Sequence, residues 1–290
     1  MIEQYLSDLT AFRRPKTVEA YAYAVRKFEA FTAGQTLGPN SLVDFARVQL
    51  TSQGMSPRTV HLLVVGATNY LNWRKKHGEP LPEFERPPMP RPKKKVKDVL
   101  RGAVLAAYMD ACEGIMPEPV RTLSRILPLT GLRISEACLL TANCLRPNGA
   151  TWVFKVMDSK GDDREVPMLP AGNRILRVYL RDTRPGLMEA RDRQPLEQYV
   201  FPNQLGGRCR AVVVRGWLNK VRKHIDVPKL NPHLLRHTFA TILEEAGVPS
   251  LTIMAILGHK SLTTTKGYTH TSIDSLVRTI TAVPTPWAKP

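Results

Sequence analysis

The sequence predicts a mainly α protein built as two domains, with one small antiparallel β-sheet in the second. Three observations carry that expectation. Apolar residues recur at helical spacing through most of the chain, strand-like alternation is confined to a stretch just after residue 150, and a run of prolines and lysines separates residues 1–86 from 98–290. A length of 290 residues suits two domains, each large enough to bury its own core. Hydrophobic residues make up 43% of the chain, which excludes disorder as the default.

Residues 1–78 read as four short helices. Ile2, Leu6 and Leu9 keep helical spacing, and Thr17 is placed to cap a second helix lined by Tyr21, Val25 and Phe28. Gly34 and Gly38-Pro39 end it. Asn40 is placed to cap a third, with Leu42, Phe45, Ala46 and Leu50. Ser56-Pro57 is a strong start signal for the fourth, Ser at the cap and Pro in the first turn, running through Leu63, Ala67, Tyr70 and Leu71 towards Gly78.

The stretch 79–97 holds Pro80, Pro82, Pro87, Pro88, Pro90 and Pro92, then the basic set Arg91, Lys93, Lys94, Lys95 and Lys97. Proline this dense forbids a regular helix and favours an extended path. Residues 87–97 would span on the order of 35 Å, long beside a major groove of roughly 12 Å. A basic linker between two basic domains suits a clamp around a duplex. An ordinary solvated linker explains the same composition with equal weight.

Helices resume over 98–142, where Thr130-Gly131 ends one segment and 132–140 begins another. Trp152, Phe154 and Val156 alternate, and Glu165-Val166-Pro167-Met168 follows after a polar turn at 158–163. This predicts a β-hairpin, extendable to a three-stranded sheet. Beyond Ala171 the pattern is helical again, with breaks expected at Arg184-Pro185-Gly186 and at 202–210.

The formal net charge is +17. Residues 1–97 hold 16 basic and 8 acidic side chains (+8), and 98–290 hold 26 and 17 (+9), so the excess belongs to both halves. A polyanion touching both, nucleic acid above all, explains that distribution. Cys112, Cys138, Cys144 and Cys209 form no C-x-x-C pair and no metal-ligand spacing with histidine, so buried free thiols are expected, with no metal. No apolar run approaches the roughly 18 residues that span a bilayer, and the first residues lack a signal-peptide pattern. The expectation is an intracellular, cytoplasmic protein.

The chemistry concentrates near the C-terminal end: H-L-L-R-H-T-F-A-T at 233–241, L-G-H-K-S at 257–261 and Y-T-H at 268–270. A tyrosine nucleophile needs help, since a phenol with a pKa of about 10 is almost fully protonated at neutral pH. His233 and Arg236, three residues apart at the start of a helix announced by Asn231-Pro232, share a face and suit a phosphate and its proton. His237 reads as a supporting residue. His259 follows Gly258, which reads as a helix C-cap, and a histidine there equally suits capping carbonyls. Arg133, after the Thr130-Gly131 break, suits phosphate binding by its planar fork, or a surface salt bridge with Glu136 three residues on. Lys160, in the turn S-K-G-D-D-R, is either a solvated turn lysine or one carried into a DNA groove to protonate a departing alkoxide. Tyr268, after Gly267 and Thr263-Thr264-Thr265, lies in a segment read as locally flexible.

Taken together, T-G-L-R-I-S-E at 130–136, the H-x-x-R box, L-G-H-K-S and K-G-Y-T-H resemble the tyrosine recombinases, the phage-integrase and Xer-like group. The resemblance covers residues 98–280, and residues 1–86 resemble more loosely the family's SAM-like core-binding module. It implies a DNA breaking-rejoining fold for 98–290 and a metal-independent, cofactor-free DNA strand transferase. By that resemblance Tyr268 attacks the scissile phosphate to form a 3′-phosphotyrosyl link, and Arg133 and Arg236 hold its non-bridging oxygens. Lys160 protonates the 5′-oxygen, with Lys155 as the alternative. His233 transfers a proton with Tyr268, His259 hydrogen-bonds the phosphate, and Glu136 supports the site. Partners implied are double-stranded DNA with specific core sites and a homotetramer, alone or with a paired recombinase. The expectation is a recombinase without an arm-binding domain ahead of the helical module, acting on short core sites. Residues 273–280 and Pro284-Thr285-Pro286-Trp287 are either a segment docking into a neighbouring subunit or a frayed tail. Two other readings stand beside this one. A type IB topoisomerase shares the chemistry, but the small helical module and the length favour a recombinase. A catalytically silent DNA-binding protein is disfavoured by the intact six-residue set.

Overall fold

The computed structural model describes residues 1–88, 98–149, 151–157, 163–189, 199–203, 207–258 and 272–285. The chain divides into two compact units, Met1–Lys95 and Val96–Pro290.

The first unit is helical: α1 (Ile2–Phe12), α2 (Pro15–Thr32), α3 (Ser41–Thr51) and α4 (Pro57–Lys76). α4 starts as its sequence predicts, with the Ser56 hydroxyl accepting the Thr59 N–H at 3.2 Å and Pro57 in the first turn. α2 starts earlier than a Thr17 cap would allow. Pro15 supplies the pre-set φ of a first helical residue, and Thr17 falls inside the first turn. Asn40 precedes α3 without a side-chain cap bond, and the Ser41 hydroxyl instead accepts the Gly38 N–H at 2.9 Å. One apolar cluster joins α2, α3 and α4 through Phe28, Phe45, Leu63 and Leu71, and a second joins α1 to α2 and α4 through Tyr5, Val25 and Tyr70. Among the described residues no helix is long and apolar enough to cross a membrane.

The second unit is arranged around α6 (Val120–Thr130), in which every residue except Arg121 and Arg125 is buried. Apart from the face that carries these two arginines, α6 lies inside the core, packed by α5 (Gly102–Ile115), α8 (Pro170–Val178), α10 (Ala211–Val221) and α11 (Pro232–Glu245). Pro128 inside α6 has no N–H to give the Ser124 carbonyl. The buried Tyr108 hydroxyl donates to that carbonyl instead, at 2.8 Å, so the helix continues without an orphaned acceptor.

β1 (Leu145–Asn148), β2 (Thr151–Val156) and β3 (Arg164–Pro167) form an antiparallel sheet in the order β1-β2-β3, with Phe154 opposite both Leu145 and Val166. The expected break at Arg184-Pro185-Gly186 does not occur. One π-helical turn, Tyr179–Thr183, carries α8 directly into α9 (Arg184–Glu189), and the Arg184 N–H donates to the Tyr179 carbonyl. The wider turn accommodates the ring of Pro185, which would otherwise meet the carbonyl four residues back. Cys112, Cys138 and Cys209 are buried free thiols and Cys144 is half-buried.

The remaining helices are α7 (Ile134–Ala137), α12 (Ser250–Leu257) and α13 (Ile273–Thr281). α13 is neither frayed nor free. Leu276, Ile280 and Val283 belong to the core of their own unit, α13 lies against β3, and Asn148 donates to the Asp274 carboxylate at 3.0 Å. Trp287 lies outside the described residues. Ile280 is fully buried, so Ile280→Ala should lower stability by about 2–5 kcal/mol in a chemical denaturation curve. A loss below about 0.5 kcal/mol, the level of an ordinary surface change, would mean that α13 is not seated in this core.

Candidate active site

Three sequence segments converge at the C-terminal end of α12. The first is the α6–α7 junction. Gly131 ends α6 in the left-handed region at φ +65°, and a Cβ there would lie 2.4 Å from the Phe239 ring and 2.7 Å from Leu257. Only glycine satisfies both the dihedral and the space. The turn leads straight into Arg133, the N-cap of α7, whose backbone N–H donates to Glu136 Oε2 at 2.7 Å. The second segment is α11, started by Asn231, whose side chain accepts the Leu234 N–H at 3.0 Å. It presents His233, Arg236 and His237. The third is Arg164, the first residue of β3.

The end of α12 collects all three arginines. Arg164 Nε donates to the Ile256 carbonyl at 3.0 Å, Arg236 Nη2 donates to the Leu257 carbonyl, and Arg133 Nη2 donates to the Gly258 carbonyl at 3.1 Å. These carbonyls have no partner inside the helix and carry the negative end of its dipole, so guanidinium groups are favoured there. Arg236 Nη1 also donates to the Gly131 carbonyl at 2.7 Å, which ties α11 to the α6 turn. Gly258 is in the left-handed region at φ +64°, the C-cap its sequence position suggests, and the Arg164 guanidinium covers it.

Glu136 is the one carboxylate of this described cluster. Its oxygens accept Arg164 Nη1 at 3.0 Å and Nη2 at 2.7 Å as a bidentate pair, and Oε1 also accepts Arg133 Nη1 at 2.7 Å. Burial pushes its pKa up, but the hydrogen bonds and charge of Arg164, then of Arg133, outweigh burial and hold it below the usual carboxylate range. Arg236 is only 5% exposed. Burial first, then repulsion from Arg133 and Arg164 against the attraction of Glu136, lowers its pKa to about 10. Three guanidiniums and one carboxylate leave a net +2 in a partly desolvated place, an arrangement that an anion would relax.

Arg133, His233 and Arg236 line one cavity of about 250 Å3, together with Ile134, Arg215, Asn231 and Pro232. The Nε2 atoms of His233 and His237 are 3.0 Å apart, so one ring donates to the other. His237 is thus in direct contact with His233. The salt bridge between Arg133 and Glu136 and the approach of Arg133 to Arg236 coexist here, although the sequence offered phosphate binding and ion pairing as alternatives. Lys155 on β2 lies 3.2 Å from the Asp163 carboxylate. Lys160, His259 and Tyr268 lie outside the described residues, as do Arg91, Lys93, Lys94, Lys95 and Lys97.

Sequence reasoning passed over Arg164 and Arg215. Arg164 shares no local spacing with Glu136, 28 residues away, and its one signal was its place at the foot of the polar hairpin turn. Arg215 is the basic residue at the middle of the otherwise apolar start of α10.

The Glu136 geometry makes a pH prediction. A carboxyl with a lowered folded pKa contributes stability above its unfolded pKa and loses it as pH falls through the folded value. Unfolding free energy should therefore fall on acidification below about pH 4.3, the ordinary glutamate range, and Glu136→Gln should flatten that slope in denaturation curves. An unchanged acid limb in the variant would show that Glu136 is not held ionised by the arginines.

Residues 98–274 match the family described as the phage integrase family. The chain is 30% identical over 287 residues to the tyrosine recombinase XerC of Brucella suis biovar 1 (strain 1330), covering 92% of this chain and 88% of the relative. It is 36% identical over 157 residues to tyrosine recombinase XerC of Lacticaseibacillus casei (strain BL23), covering 54% of this chain and 51% of the relative, so that match spans about half of the relative's length. Among solved structures, the Tn1549 transposon integrase in complex with circular intermediate DNA shares the fold, with a TM-score of 0.71 at 19% identity over 94% of this chain and 96% of that one. The chain belongs to the phage integrase family, with the Xer-like tyrosine recombinases.

Proposed function

We propose that this protein is a site-specific recombinase that cuts and rejoins double-stranded DNA through a 3′-phosphotyrosyl intermediate. The observation that carries the reading is the paired seating of Arg133 and Arg236 on consecutive carbonyls of one helix end, beside His233. Two guanidiniums held side by side suit the two non-bridging oxygens of a phosphodiester. A phosphodiester carries one negative charge and its pentacoordinate transition state about two. The net +2 of the cluster therefore matches the transition state better than the ground state, which is what accelerates a reaction.

In this reading the Tyr268 oxygen bonds to phosphorus as the bond to the 5′-oxygen breaks. His233 takes the phenol proton, Lys160 gives a proton to the departing 5′-oxygen, and His259 hydrogen-bonds the phosphate. Lys155 is the alternative acid, and its ion pair with Asp163 would have to open first. The phosphotyrosyl bond conserves the energy of the broken ester, so the free 5′-hydroxyl of a second strand can displace Tyr268 without ATP. The guanidinium charge takes the part that metal cations play in other phosphoryl transfers. The DNA complex of the Tn1549 integrase supports DNA as the partner. Residues 1–86 would bind the core site, the basic residues of 87–97 would follow the backbone, and 98–290 would do the chemistry, in a tetramer across two sites in the cytoplasm.

The test is to incubate the protein with a randomised duplex library, trap covalent complexes with detergent and sequence the attached ends. Protein linked to 3′ ends at a recurrent sequence is expected. Tyr268→Phe should bind the recovered duplex as tightly as the native chain and form no adduct; an adduct that survives the change would remove Tyr268 as nucleophile. Adduct formation should also persist in excess EDTA, and a strict requirement for a divalent cation would overturn the charge argument. Relaxation of any supercoiled plasmid without recombinant product would move the reading to a type IB topoisomerase.

A further inference from the structure

Arg164 is the third guanidinium of the cluster, and most of its described donors are given to the protein. Nε is given to the Ile256 carbonyl and both Nη groups to the two oxygens of Glu136, so three of its five N–H groups are spent inside the protein. Its side chain is 11% exposed and that of Glu136 is 10% exposed, against 40% for Arg133. The buried pair thus sits behind a half-exposed arginine.

We infer that Arg164 is a positioning residue for phosphoryl transfer: by claiming the Glu136 carboxylate it keeps the Arg133 charge available to phosphate while Glu136 still holds the Arg133 guanidinium in place. The inference rests on the proposed phosphate role of Arg133 and Arg236. With Arg164 present, Arg133 and Arg236 face the cavity with the carboxylate already neutralised, and the cluster totals +2. Without it, Glu136 would have Arg133 as its remaining close ion-pair partner among the described residues, the total would drop to +1, and Arg133 would be drawn into a simple salt bridge. Glu136 is needed for alignment, because it receives both the backbone N–H and the Nη1 group of Arg133. An uncompensated carboxylate in that place would oppose the anion it helps to bind. Arg164 supplies the compensation with a fork that matches both oxygens. The same side chain holds the Ile256 carbonyl, so the arginine that balances Glu136 also fixes the helix end on which Arg133 and Arg236 are seated.

A merely structural role and this electrostatic one differ under a second substitution. Arg164→Met removes the charge and the fork, Arg164→Lys keeps the charge as a point, and Arg164→Met with Glu136→Gln removes both partners and restores the total of +2. Inorganic phosphate, titrated at constant ionic strength against the full chain, reports the anion site through the phosphate-dependent rise in melting temperature. Each variant's own phosphate-free value serves as its baseline. Single-turnover cleavage of the duplex recovered above reports the transition state. Arg164→Met should weaken phosphate binding and slow cleavage by about tenfold or more, the scale of one charge-assisted hydrogen bond or more. The double variant, which keeps an amide oxygen for Arg133 but not the Ile256 anchor, should regain part of both, and Arg164→Lys should lie between Arg164→Met and the native chain. Equal losses in Arg164→Met and in the double variant, or no loss in Arg164→Met, would overturn the inference. A native chain with no phosphate response, or one unchanged by Arg133→Met and Arg236→Met, would instead remove the phosphate site itself.

Discussion

Ile256, Leu257 and Gly258 end α12 with carbonyls that the helix cannot satisfy, and each accepts from a different arginine. The site depends on this junction. Arg164 comes from a strand, Arg236 from the helix before α12, and Arg133 from the turn after the central helix, so three distant stretches are aligned by one helix terminus. The junction is strong because both sides need it. Buried carbonyls without partners are costly, and guanidiniums taken from water need acceptors and negative potential.

The surrounding core exists largely to present that terminus. α6 is buried on nearly all sides and ends at Gly131, whose carbonyl accepts Arg236 and whose missing Cβ lets Phe239 and Leu257 close over the turn. A side chain at that position would separate α11 and α12 from α6 and pull the arginines apart with them. The same packing explains why Arg236 can be so deeply buried and still charged. Its donors meet two backbone carbonyls, and Glu136 offsets part of the repulsion from its neighbours.

Much of this was legible in residue order. Ser56-Pro57, Asn231-Pro232, Gly131 and Gly258 are local signals whose physics is complete within a few residues, and the structure uses Ser56, Asn231 and both glycines as caps. Thr17 misled because Pro15, two residues earlier, is a better helix start. Pro185 misled because a π turn can absorb a proline that an α turn cannot. The apolar spacing of the tail, Leu276, Val277 and Ile280, suits any apolar surface equally well, and the surface it covers in this structure is in its own unit.

The sequence by itself determined the two-unit helical plan, the position of the hairpin and the basic balance of both halves. Those follow from periodicity, backbone stereochemistry and side-chain chemistry, which act over a few residues. Only the tertiary structure decided that Arg133 is both ion-paired and turned to the cavity, and that Arg164 balances Glu136 across 28 residues. Charge balance and desolvation depend on what surrounds a group in space, and linear spacing says nothing of a partner brought in by another element.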